Sequence, residues 1–65
     1  MEYLMKKIAD IAKEKNCAIS LEIIPDGRLM IGADTVRRDY RIINYDWSEE
    51  NILNTVRDVI RTAEE

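Results

Sequence analysis

Histidine is absent from this chain of 65 residues, cysteine and proline each occur once, and glycine occurs twice. Each shortage removes a class of chemistry. Zinc centres and nucleophile–base pairs draw on histidines and paired cysteines, and Cys17 follows the C-terminal end of a helical pattern, the wrong pole for lowering a thiol pKa. The calcium-loop pattern of Asp and Asn at alternate positions is missing too. Two glycines build no phosphate-cradling loop, and Asp26-Gly27 reads as turn chemistry. No enzyme, no cofactor and no metal site is expected. A lone cysteine excludes an internal disulfide framework, which points to a reducing cytoplasm. No apolar run approaches the roughly 20 residues of a membrane span, and Lys6 and Lys7 precede any leader-like apolar core. The chain reads as one soluble, cytoplasmic domain over 1–65.

A basic excess is also lacking. The net charge is −3, divided as +1 over residues 1–15, −1 over 16–47 and −3 over 48–65, so the C-terminal segment is the acidic one. Nucleic-acid binders carry a strongly basic footprint instead. Arg37, Arg38 and Arg41 cluster locally, but Asp34, Asp39 and Asp46 are interleaved with them, so nucleic acid is not an expected partner. What is present is a globular balance, 46% hydrophobic and 35% charged, in a chain short enough to bury only about 60% of its unfolded surface.

Met1, Leu4, Met5, Ile8, Ile11 and Ala12 recur at helical spacing, with Lys6, Lys7, Asp10, Lys13 and Glu14 opposite, which predicts a helix over 2–15 closed by Asn16. From Cys17 to Ile24 the period falls to two, with Cys17, Ile19, Leu21 and Ile23 on one face. Pro25-Asp26-Gly27 then supplies a hairpin turn. A second strand follows over Arg28 to Ala33, and a third within Val36 to Tyr45. Ser48 has the chemistry of a helix N-cap, flanked by Trp47 and Ile52 for a hydrophobic staple and followed by Glu49 and Glu50 at the positive dipole end. Ile52, Leu53, Val56, Val59, Ile60 and Ala63 form the apolar stripe of that last helix, whose end at Glu64 and Glu65 opposes the dipole.

An antiparallel meander between two amphipathic helices makes a two-layer α+β domain, α-β-β-β-α, with both helices on one sheet face. In this reading Leu21 lies at the core centre under both helices, and Val36, Tyr40 and Ile42, the less charged set of the third strand, face inward. The other face is left with Ala18, Ser20, Glu22, Ile24, Arg28, Met30, Arg41, Ile43 and Tyr45, more apolar surface than a solvated sheet needs. Ile24, Met30, Arg41, Ile43 and Tyr45 are therefore candidate protein-contact residues. An unpaired strand edge adds to the case for a homodimer closed by a two-fold axis.

The order helix, three strands, helix resembles the double-stranded-RNA-binding domain over nearly the whole chain. That family grips phosphates with a lysine cluster at the start of its last helix, and the matching positions here are Ser48, Glu49, Glu50 and Asn51, which would repel them. Length, element order, the turn Ile24-Pro25-Asp26-Gly27 and the helix start Asp46-Trp47-Ser48-Glu49-Glu50 also resemble small acidic αβββα proteins of prophages and mobile elements of Gram-positive bacteria, some of them anti-CRISPR inhibitors. That resemblance implies an acidic contact surface at Glu49, Glu50, Asp58, Glu64 and Glu65. The leading expectation is a non-catalytic protein-interaction module, phage or mobile-element encoded, that self-associates or binds a host protein. The alternatives are an acidic inhibitor of a nucleic-acid-binding protein such as a CRISPR nuclease and, third, a divergent nucleic-acid-binding domain.

Overall fold

The computed structural model describes residues 2–44 and 48–64. Element order is α1 (Glu2–Lys15), β1 (Ala18–Ile23), β2 (Leu29–Asp34), β3 (Arg38–Ile43) and α2 (Glu49–Glu64). The apolar face of α1 is carried by Leu4 and Ile8, both buried, with Ile11 packed against the same core. Met5, grouped with that stripe by spacing, is exposed. At the end of α1 Asn16 takes a positive φ of 53°. Its N–H donates to the Lys13 carbonyl at 3.3 Å and the Cys17 N–H to the Ala12 carbonyl at 3.1 Å, the bond pair of a Schellman closure.

The first hairpin turns over Pro25, Asp26 and Gly27. The Gly27 N–H donates to the Ile24 carbonyl and the Ile24 N–H to the Arg28 carbonyl, each at 2.8 Å. Gly27 sits at φ 97°, a conformation that side-chain-bearing residues avoid. Asp26 accepts from the Arg28 N–H at 3.1 Å and pairs with its guanidinium at 2.8 Å. At the other helix, the Ser48 Oγ accepts from the Asn51 N–H at 3.2 Å, so Ser48 is the N-cap of α2. The partner proposed for a staple, Trp47, lies outside the described residues.

The sheet order is β1-β2-β3, antiparallel throughout. Its register sorts the strand residues into two grids, because directly opposed residues share a face. Toward the helices stand the rows Ile19-Ala33-Asp39, Leu21-Ile31-Arg41 and Ile23-Leu29-Ile43; away from them stand Ala18-Asp34-Arg38, Ser20-Gly32-Tyr40 and Glu22-Met30-Ile42. The core centres on Ile31, 0% exposed, with Val56 and Val59 of α2. Leu21 is on the expected face, yet it is only half-buried, so the core centre lies on β2 and not on β1. α2 covers β2 and β3, whereas α1 sits over β1 and against α2. Lys7 meets Glu49 at the start of α2, while Lys15 shares a groove with Arg61 and Glu64 near its end. The two helices therefore run side by side in the same direction.

The faces of β3 are the reverse of those expected from its charges. Val36 is 82% exposed, beside the loop pair in which the Thr35 N–H donates to the Arg37 carbonyl, and Tyr40 and Ile42 on the uncovered face are 60% and 39% exposed. Arg41 and Ile43, expected outside, stand on the helix side, with Ile43 packed against the core. Counting charges fails here because β3 is an edge strand. Arg41 reaches solvent from the border of the covered face, and Asp39 is satisfied there by α2.

Candidate functional site

The sheet face turned away from the helices is built from the second grid. Met30 and Ile42 are opposed across β2 and β3, and Tyr40 stands one row away opposite Gly32. A Cβ on Gly32 would lie 2.7 Å from the Ser20 Oγ, so the missing side chain lets Ser20 and Tyr40 flank a shallow hollow of about 230 Å³ bordered by Met30 and Arg38. Glu22 and Arg38 occupy diagonal corners of the grid. Arg38 pairs with its cross-strand neighbour Asp34 at 3.3 Å.

Of the five contact candidates, Met30 lies on this face. Ile24 is half-buried at the hairpin turn, Arg41 and Ile43 are on the opposite face, and Tyr45 is outside the described residues. Tyr40 and Ile42 are the face residues that reasoning from charge missed. A signal for them existed in the sequence: opposite charges at Asp34 and Arg38 suit a cross-strand pair, which puts Tyr40 opposite Gly32 and Ile42 opposite Met30.

The sheet also has two edges. β3 carries Arg38, Asp39 and Arg41, charges of the kind that discourage strand addition. β1 reads Ala-Ile-Ser-Leu-Glu-Ile, with Glu22 its one charge. Since Ile24 donates to Arg28 across the first hairpin, the backbone groups of Ala18, Ser20 and Glu22 point to β2 and those of Ile19, Leu21 and Ile23 point outward. Among the described residues no backbone bond reaches β1 from that outer side.

The acidic candidates do not form one uniform patch. Glu49 binds Lys7 at 2.6 Å, and that hydrogen bond holds the Lys7 ammonium above the usual lysine range. Lys7 also stacks on Tyr3, 4.5 Å from the ring centre. Asp58 pairs with Arg61 at 3.3 Å. Glu50 and Glu64 are exposed, and Glu65 lies outside the described residues. The arginine cluster is dispersed too: Arg38 is on the uncovered face, Arg41 on the covered one, and Arg37 donates to the Thr62 carbonyl of α2 at 3.4 Å.

Asp39 is the polar anchor between β3 and α2. It accepts from the Thr62 hydroxyl and from the Tyr40 N–H at 2.9 Å. The Val59 carbonyl, 3.1 Å away, is the other acceptor near that hydroxyl, but the single proton favours the carboxylate. The Thr62 bond, then the Tyr40 bond, hold the Asp39 carboxyl below the usual range, with Arg41 and Arg37 adding to the effect. Burial, then the nearby Glu64, push the Cys17 thiol up against a smaller pull from Lys15. A protonated, half-buried thiol is a poor nucleophile. Among the described residues no group of three metal-ligating side chains stands together, and no helix is long and apolar enough to cross a membrane.

No family model matches this chain, and no curated protein and no solved structure matches it.

Proposed function

We propose that this chain is a small protein-interaction module, without catalysis of its own, whose partner is a second copy of itself. One observation carries this reading: the two helices cover a single face of the sheet, leaving Met30, Tyr40 and Ile42 contiguous on the other and β1 unpaired at its outer side. A contiguous apolar cluster and an unpaired ladder are both features that a partner chain can cover. A second copy suits it because a two-fold axis lets one patch serve both subunits. The charges bordering the sheet are of both signs, with Glu22 and Arg38 at opposite corners, so this face does not concentrate the net negative charge of the chain. The acidic-inhibitor reading has less support, since Glu49 and Asp58 are engaged by cations of the same chain.

Thermal unfolding across chain concentrations from ~5 μM to ~500 μM tests the reading, because association that requires the folded state raises the midpoint with concentration. A rising midpoint supports self-association. A midpoint that stays constant overturns it.

A further inference from the structure

We propose that two copies join through β1, antiparallel to its own copy with the two-fold axis at Leu21, so that two three-stranded sheets become one of six. This rests on the self-association reading and assigns it to the unpaired edge of β1, while the face of Met30, Tyr40 and Ile42 stays open on one side of the joined sheet. The outward backbone groups of β1 belong to Ile19, Leu21 and Ile23. Centring the pairing on Leu21 opposes Leu21 to Leu21 and Ile19 to Ile23, so every outward residue of the strand meets another and each pair exchanges two hydrogen bonds. Ile23, 70% exposed in the single chain, then gains an apolar cross-strand neighbour.

Charge selects the same register. With the axis at Leu21, Glu22 faces Ser20 of the other copy, whereas an axis at Glu22 would set Glu22 against itself, and like charges directly opposed destabilise a ladder. An axis at Ser20 would leave Ile23 opposite Cys17, beyond the strand. β3 offers no equivalent, because Arg38, Asp39 and Arg41 lie along it.

The helix above β1 is shaped for the same approach. An axis normal to the sheet puts both α1 helices on one face, next to each other across the new strand pair. In each, Lys7 marks the side toward α2 through Glu49, and Leu4 and Ile8 mark the side toward the core. Met5, Ala9 and Ala12 share the remaining flank, away from α2, by helical spacing. Ala9 and Met5 are exposed there. Two alanines allow two helices to come close, and Met5 gains cover it lacks in the single chain.

The test combines mass with register. Sedimentation equilibrium at ~100 μM, where a dimer of about −8 kcal/mol is mostly assembled, should give twice 7.6 kDa for the unaltered chain. Ala9→Arg, at an exposed helical position, should return the mass toward 7.6 kDa with the circular-dichroism spectrum unchanged, and Tyr40→Glu should remain dimeric. For register, chains carrying Cys17→Ser with Ser20→Cys are mixed with chains carrying Cys17→Ser with Glu22→Cys under mild oxidation. Because the two positions face each other as a non-hydrogen-bonded pair, the mixture should cross-link well beyond either chain alone. A dimer that survives Ala9→Arg, is lost with Tyr40→Glu and does not cross-link overturns the β1 interface while leaving self-association standing. A mass of 7.6 kDa for the unaltered chain overturns both. If Ala9→Arg unfolds the chain, the cross-link alone decides, since its positions are exposed.

Discussion

Truncating Ile31 to alanine should cost more than truncating any residue of β1, because Ile31 is fully buried at the centre of β2. The change removes three carbon atoms, worth about 2.4 kcal/mol at roughly 0.8 kcal/mol for each buried methylene-sized group. A residual cavity of ~40 Å³ adds about 1 kcal/mol at ~24 cal/mol per Å³. The expected loss is therefore about 3 to 3.5 kcal/mol. A domain of this length holds roughly 3 to 10 kcal/mol in all, so Ile31→Ala should be partly or wholly unfolded at 25 °C. Leu21→Ala, at a half-buried position, should lose about half as much. Urea titration at one fixed, low chain concentration measures both without a contribution from association. A loss under about 1 kcal/mol at Ile31, or a larger loss at Leu21, would refute the placing of the core on β2.

Three further outcomes follow from particular contacts. Asp39 is held ionised by Thr62, so its contribution is present above the usual carboxylate pKa of 3.8 and disappears as pH falls through its lower native value; Thr62→Val should lose less stability than the unaltered chain between neutral pH and pH ~2, and equal losses in urea titrations would contradict this. Ser48→Ala removes the cap on the Asn51 N–H and should cost about 1 kcal/mol, a fall of roughly 4 to 8 °C in melting temperature. Gly27→Ala meets no atom within 4 Å, yet it must adopt φ 97°; a cost of about 1 to 2 kcal/mol from the backbone alone is expected, and an unchanged midpoint would argue against that turn.

Most of the architecture was legible because its signals are local. Helix spacing and Asn16 located α1, the change to period two located β1, and Pro25-Asp26-Gly27 located the hairpin, since each depends on neighbours within a few positions. The Ser48 cap was legible for the same reason. β3 was not, because its faces are set by the register across β2, where Arg41 opposes Ile31 and Tyr40 opposes Gly32. An edge strand tolerates charge on its covered side when the charge reaches solvent, as Arg41 does, or finds a distant partner, as Asp39 finds Thr62. That Asp39–Thr62 contact spans 23 positions and leaves no local pattern. The make-up of the uncovered face was accordingly half legible. The side of Met30 follows from the alternation of its own strand, whereas charge alone puts Tyr40 and Ile42 in the core and Arg41 and Ile43 at the surface, each pair in the other's place.

The alternation of hydrogen bonding along β1 offers the most direct measurement. Residue-resolved amide exchange should find Ser20 and Glu22, whose N–H groups point to β2, protected at every chain concentration. The outward amides of Ile19, Leu21 and Ile23 should exchange roughly tenfold more slowly near ~500 μM than near ~5 μM, because a dimer of about −8 kcal/mol leaves about a quarter of the chain monomeric at the lower concentration and only a few per cent at the higher. Fast exchange of those three amides at both concentrations, beside a protected Ser20 and Glu22, would contradict pairing at this edge.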